Sequence, residues 1–473
     1  MAIKTSLVFL TASVLPVLGE TILGLTVFTR HGDRNSKHYP GYGLTNLGFQ
    51  QNFRTGGLYR EIYLSANSSK QILGVSEDKY VPAQIWASAP DQKILANTAT
   101  AFLQGLYPPL EQLDPEIATN TLNNGTEYTN PLEGYQYVVL HTPDGESPNT
   151  IWIKGDDGCP AVTEASADFE ESPVFMEMEA STKSFYQGFW EQLQDVYDYE
   201  QSELSYAKAY DIFDLINVAQ IHNSSAEERV SAEDLFQLRT LADSAEFGLN
   251  FNASQPARSI HAQTLAGAIL NQLNQTITGK GKLKFSLLAG SYDTFLAFFG
   301  LTELTAASPN FFGLPNYAST MAFEILTDKD VTEFPSSTDD LKVRFLFRNG
   351  SDAGSPLTPF PLFGQQELTL SWTDFATQLG ERAISTVEKW CNTCKSTEDF
   401  CAVYDSSDST GASSSSSSGS GMSNAVAGVI GAMVTLGVVA LAGLVFFLLR
   451  RNKKTSPPSS GASIGSAEKG SMA

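Results

Sequence analysis

The chain has 473 residues and carries 30 Lys and Arg against 52 Asp and Glu, a formal charge of −22. Apolar residues make up 42%, enough for one large core or two ordinary ones, which excludes a wholly disordered chain. The acidity argues against a general nucleic-acid binder, which needs a basic face for phosphate backbones, and it makes any local cluster of Arg, Lys and His informative.

Residues 1–19 read as a secretory signal: Lys4 supplies the charged start, Ser6–Leu18 the apolar run, and Val17-Leu18-Gly19 a small-residue cleavage site before Glu20. Thr21–Thr29 is β-branched and apolar throughout, the pattern of a buried strand. It runs directly into Thr29-Arg30-His31-Gly32-Asp33-Arg34. Two guanidiniums flanking a histidine on a tight strand-end loop suit phosphate chemistry. Arginine offers rigid paired donors to phosphate oxygens, glycine permits close backbone approach, and neutral imidazole is a nucleophile.

Further along, Leu44–Leu64 has helical character, and Gln84–Ala87 is a short strand leading into a helix over Asp91–Gly105. Tyr135–His141 and Asn149–Ile153, joined through Pro143-Asp144-Gly145, predict a hairpin. From Ser166 to Ile277 the pattern is mainly helical. Lys282–Leu288 is again a strand, followed by a helix from Tyr292, by strands at Met321–Leu326 and Val343–Arg348, and by a last helix over Trp372–Trp390. This order predicts an α/β sheet with a helical cap, about residues 110–278, grown from one connection.

The C-terminal part divides by composition into a Ser-rich stalk (405–424), an uncharged stretch Ala425–Leu449 and a polar tail (450–473). As a helix the uncharged stretch would span about 37 Å, enough to cross a bilayer with some tilt. Arg450, Arg451, Lys453 and Lys454 follow at once, which orients the tail to the cytoplasm. The expectation is a single-pass type I membrane protein of the secretory pathway, its outer part (20–404) extracellular or lumenal and most simply at the plasma membrane. Six N-x-Ser/Thr sites, at Asn67, Asn124, Asn223, Asn252, Asn274 and Asn349, fall on that outer side as N-glycosylation candidates. So do all four cysteines, Cys159, Cys391, Cys394 and Cys401, which allow three disulfide pairings. The Cys391-Asn392-Thr393-Cys394 spacing ends a helix instead of opening one, so it reads as structural, not redox-active.

Arg30-His31-Gly32-Asp33-Arg34 resembles the signature of the histidine acid phosphatases, the branch of the histidine phosphatase superfamily that holds prostatic-type acid phosphatases and fungal phytases. Leu44-Thr45-Asn46-Leu47-Gly48-Phe49-Gln50-Gln51 resembles the family's following helix start, and Phe102–Pro109 its segment at the edge of the cap. Leu288-Ala289-Gly290-Ser291-Tyr292-Asp293-Thr294 is similar to the second signature. The resemblance covers residues 21–404 and points to a fungal-type, membrane-anchored member. It implies a phosphoglycerate-mutase-like core sheet flanked by helices, with the cap inserted. It also implies an acid phosphatase acting on small-molecule phosphomonoesters without metal or organic cofactor. His31 would form a phosphohistidine, Arg30 and Arg34 would hold the phosphate oxygens, and Asp293 would protonate the leaving oxygen.

Three positions depart from the family's pattern. No arginine stands in Ala87–Lys93; Lys93 is the nearest basic residue, with Gln92 competing for the position, and it brings a point charge without paired donors. The histidine of the second signature is Tyr292, a phenol with one donor and no positive charge. Ser36 replaces a proline. These changes motivate an alternative, a catalytically impaired or inactive phosphatase-like surface protein that binds phosphorylated ligands. Asp293 alone would read as a helix-cap residue, Tyr292 alone as a packing aromatic, and His38, His141, His222 and His261 as surface or structural. Asp156-Asp157 reads as a solvated turn, and the acid-rich cap favours simple monoesters over highly phosphorylated ones.

Overall fold

The computed structural model describes residues 19–404 apart from 197–198 and 227–228. The signal, stalk, uncharged stretch and tail expected from the sequence lie outside the described residues. No described helix is long and apolar enough to cross a membrane.

Strands β1 (Thr21–Arg30), β2 (Ile85–Ser88), β5 (Phe285–Gly290), β6 (Thr320–Thr327), β7 (Lys342–Arg348) and β8 (Thr358–Pro359) build one sheet in the order β2-β5-β1-β6-β7-β8. A last strand, β9 (Thr369–Ser371), also pairs with β7. A separate two-stranded ribbon, β3 (Thr119–Thr121) with β4 (Glu127–Thr129), was not foreseen. β2, β5 and β1 run parallel, while β6 is antiparallel to β1 and β7 to β6.

The helices used below are α1 (Asn46–Tyr63), α2 (Lys93–Leu106), α3 (Pro160–Glu170), α4 (Pro173–Gln187), α5 (Ala209–His222), α6 (Ala232–Asn250), α7 (Ile260–Thr278), α8 (Tyr292–Leu301), α9 (Trp372–Arg382) and α10 (Val387–Cys394). The expected mixed α/β sheet with helices on both faces is present. On one face Tyr59, Tyr63 and Phe102 of α1 and α2 cover Leu25, Val27 and Leu287. On the other, Leu265, Leu273 and Phe295 of α7 and α8 cover Phe28 and Leu288, and this core continues into the cap. Both faces are dry, which is why β1 reads as a continuous apolar run without alternation. A register shift between Ile22 and Gly24 carries Leu23 to the same face as Phe28.

Two sequence expectations fail. Residues 135–153 form no hairpin. Gln136, buried in mid-segment, accepts from the Tyr80 amide at 2.7 Å and donates to the carbonyls of Asp78 at 2.8 Å and Pro108 at 2.9 Å. That ties the segment to its neighbouring loops, and only His141 bridges the sheet, at Ser88. Thr150–Trp152 is a 3-10 turn. The helix foreseen over Trp372–Trp390 is two helices, because Ala383 turns extended and the Ile384 amide donates to Gln263 O at 2.9 Å on α7.

The cysteines pair as Cys159–Cys394 and Cys391–Cys401, leaving none free. The first bond joins the segment before α3 to the end of α10. Asn67, Asn124, Asn223 and Asn349 are exposed, while Asn252 and Asn274 are half-buried.

Candidate active site

Parallel pairing sets Thr29 beside Ala289 and Arg30 beside Gly290. The loop after β1 and the start of α8 therefore emerge side by side at one sheet edge, the usual place for ligands in such sheets. This register sets the basic loop beside the start of α8, where the Arg30 guanidinium lies over Tyr292.

The loop is clamped by α1. A Cβ on Gly32 would strike Gly48 O, and one on Gly48 would strike Asp33 O, so the backbones touch where both residues are glycine. Thr45 caps α1 by accepting from the Gly48 amide at 3.1 Å, and its hydroxyl also meets the Asp33 carboxylate. Gln51 Oε1 accepts from the Asp33 amide at 2.7 Å, and Asn52 Nδ2 donates to Arg30 O at 3.1 Å. The Thr45–Gln51 motif is thus a bracket for the basic loop.

His31 is 4% exposed. Its Nδ1 lies 2.8 Å from the Gly32 carbonyl, which only accepts, so Nδ1 carries the proton and Nε2 keeps its lone pair. Burial first, then the charges of Arg30 and Arg34, push the imidazole pKa well below its ordinary value. The Arg30 guanidinium donates to Pro315 O and lies 4.7 Å from the Tyr317 ring centre and 5.2 Å from that of Tyr292. Nε of Arg30 and of Arg34 are buried donors without a protein partner.

The cap closes over this floor with residues that sequence reasoning passed over. On α5, Asp214 pairs with Arg34 at 2.8 Å, with both side chains nearly inaccessible, and the Tyr210 hydroxyl receives Arg34 Nη2 at 3.2 Å. Burial works against the Arg34 charge, but Tyr210 and Asp214 outweigh it and raise the guanidinium pKa. Lys37 Nζ meets Asp211 at 2.6 Å, and His222, the last residue of α5, reaches Asp33 at 2.7 Å. Tyr210 stacks on Tyr292 with centroids 4.5 Å apart. A signal was available: two aspartates and a tyrosine at Tyr210, Asp211 and Asp214 interrupt the apolar start of the helix, Ala209–Ile216.

Asp293 lies in the first turn of α8, where its Oδ1 accepts from the Thr294 amide at 2.7 Å. His261 approaches its carbonyl at 3.3 Å through Nε2, so this histidine borders the site. Lys154 comes from the segment before α3 and is 8% exposed. Its burial opposes the charge, but Asp293, Asp156 and Asp157 together raise its pKa; Nζ lies 3.1 Å from Asp156 Oδ2 and 3.5 Å from Asp157 Oδ1. The Asp156-Asp157 pair stands in a turn, as expected, with Asp157 exposed and Asp156 half-buried, and both carboxylates engage Lys154. Lys93, by contrast, is exposed at the start of α2, with its ammonium against Gly43 on the loop that follows the motif.

A cleft of about 240 Å³ opens beside this floor, with Arg30, Tyr210, Asp214, Arg239 and Tyr317 among its walls. Among the described residues no cluster of His, Cys, Asp and Glu has the arrangement of a metal site.

Comparison with known proteins places the chain in a family. Residues 36–348 match the family model of the histidine phosphatase superfamily (branch 2). A phytase of Klebsiella sp. ASR1 superposes with a TM-score of 0.51 at 13% identity, over 77% of this chain and 96% of its own. A Hafnia alvei phytase in complex with myo-inositol hexakis sulphate gives 0.51 at 14% identity, over 78% and 98%. At such identities the likeness shows the shared fold alone. No curated protein matches the sequence.

Proposed function

The chain belongs to branch 2 of the histidine phosphatase superfamily, and on that footing we propose that it hydrolyses phosphomonoesters, with His31 as nucleophile and Asp293 as proton donor. The observation that carries the proposal is the neutral, Nδ1-protonated His31 set between two arginines whose Nε donors have no protein partner. His31 Nε2 attacks phosphorus, and the ester P–O bond breaks as Asp293 passes its proton to the leaving oxygen. Water then attacks the phosphohistidine, gives a proton back to Asp293, and releases phosphate and free His31. Arg30 and Arg34 offset the charge on the transferring group.

The acid optimum expected of this site has a physical cause. His31 stays neutral at pH values where an ordinary imidazole is charged, while Asp293 must hold a proton to donate it. Substrates of low charge suit the cap, because Asp211 and Asp214 stand over the basic loop and would repel a polyphosphorylated ring. Residues 20–404 form the proposed outer enzyme. Anchoring by residues 425–449, with the enzyme on the extracellular or lumenal side, is part of the same proposal and rests on sequence alone.

A second reading, a surface protein that binds phosphorylated ligands without turnover, is favoured by one observation: Lys93, the nearest basic residue to the position of the missing arginine, is exposed. Phosphate release from a panel of monoesters at pH 4–6 separates the two. The full chain should release phosphate and His31→Ala should lose at least about a thousandfold of that rate. Equal rates, or none for the wild type, would refute hydrolysis.

A further inference from the structure

A larger cavity, of about 380 Å³, shares Leu314 and Asn316 with the active-site cleft and takes no part in the proposed chemistry. Its size is that of a small-molecule site. Phe311, Phe347 and Phe360 are among its walls. Phe360 meets Phe311 edge-on with ring centres 4.9 Å apart, and Phe347 lies 5.4 Å from the same ring. Asn310, Asn316 and Asn349 add amides to the lining. None of the lining residues is charged, in a chain with a formal charge of −22. Ring faces for C–H groups, amides for hydroxyls and no ion to desolvate together suit a neutral sugar.

An acceptor for a sugar stands in the wall itself. Asn349 opens the sequence Asn349-Gly350-Ser351, and of the six N-x-Ser/Thr asparagines it alone lines this cavity. Its Oδ1 accepts from the Asn316 amide at 2.8 Å and lies 3.1 Å from the Ser319 hydroxyl. A backbone N–H only donates, so the amide oxygen must face it, which fixes the orientation of the side chain. Nδ2, the atom to which a glycan is attached, is left without a partner among the described residues. The loop is held from below. The Gly350 amide donates to Ser319 Oγ at 2.8 Å, and buried Arg348 donates to the carbonyls of Ser355 at 2.9 Å and Asp352 at 3.0 Å.

We infer that Asn349 carries an N-linked glycan and that this cavity seats its first N-acetylglucosamine. Attachment forms a bond from Asn349 Nδ2 to C1 of the sugar, supplied by a lipid-diphosphate oligosaccharide. The C1–O bond breaks, the diphosphate leaves with the bonding pair, and Nδ2 gives up one proton to the transferase. The phenylalanine rings then take the C–H face of the sugar, and the Asn310 and Asn316 amides meet its polar edge. The inference needs the export proposed above and is independent of hydrolysis.

The test is peptide mapping by mass spectrometry on the full chain, purified from a eukaryotic secretory host that keeps glycans in the high-mannose form. The Asn349 peptide should carry a glycan. Ser351→Ala, which removes the acceptor sequence but keeps every bond of the Asn349 side chain, should lose that glycan alone. Seating is read with an endoglycosidase that cuts between the two core N-acetylglucosamines. It should release the Asn349 glycan at least about tenfold more slowly from the folded than from the denatured chain, and Phe360→Ala should shrink that ratio to about threefold or less. The wild-type ratio stands even if a variant fails to fold. No glycan on any of the six asparagines would overturn the inference together with the export. Glycans elsewhere and none at Asn349 would overturn the inference alone, and equal release from folded and denatured chain would overturn the seat.

Discussion

Within the site, an acid from the cap and a base from the floor meet where a substrate has to bind. Asp214 engages Arg34 at 2.8 Å with almost no solvent on either side. Removing one partner of such a buried pair leaves the other charge uncompensated, at a cost of about 3 kcal/mol. Asp214→Asn should therefore lower stability by that order in denaturant unfolding. Millimolar phosphate should restore much of the loss by pairing with Arg34. Stability unchanged by the substitution, or unmoved by phosphate, would show that the Arg34–Asp214 contact has no competition from an anion.

How far such residues can be read from sequence depends on where they sit. Arg30, His31 and Arg34 are legible because one loop carries them, and Asp293 because it follows a strand with a matching motif. Lys154 is silent in sequence because the fold brings it in from 120 positions beyond the loop, and Asp214 shows only as a polar break in the apolar start of α5. His222 shows the same limit: nothing around it in the chain reveals that it ends α5 against Asp33.

Among the elements, those buried on both faces were the most legible. β1 and β5 read as apolar runs because helices cover each side. α1 and α2 cross so closely that a Cβ on Gly56 would strike Phe102 O and one on Gly105 would strike Phe53 O. That explains the glycine in the Phe102–Pro109 segment, which the sequence motif marks without giving a reason. The false hairpin at 135–153 has the opposite origin. Gln136 ties the segment to two loops, and the segment meets the sheet only where His141 bridges Ser88.

The disulfides act at this same scale, since each ties α10 to another segment. Cys159–Cys394 closes 235 residues of chain and Cys391–Cys401 closes 10. In the chain-entropy view the longer closure constrains the unfolded state more, by about 3 kcal/mol. Paired Cys→Ser variants should show that order in chemical unfolding, with Cys159/Cys394 losing more. Equal losses would mean that local packing around Trp390 and Phe400, not chain closure, sets the value of both bonds.

At the level of the molecule, a chain with a formal charge of −22 keeps a small cationic floor under a lid of carboxylates and tyrosines. The sheet fixes the floor and the cap supplies the acids; in the proposed function their meeting sets charge selectivity. All of this serves one chemical claim, that His31 accepts a phosphoryl group. The direct measurement uses the full chain with Asp293→Asn and a radiolabelled aryl phosphate whose leaving group needs no proton, quenched rapidly in alkali. The account predicts a base-stable, acid-labile label on the peptide that contains His31, absent when His31→Ala is added. No such label, or a label that survives His31→Ala, would contradict it.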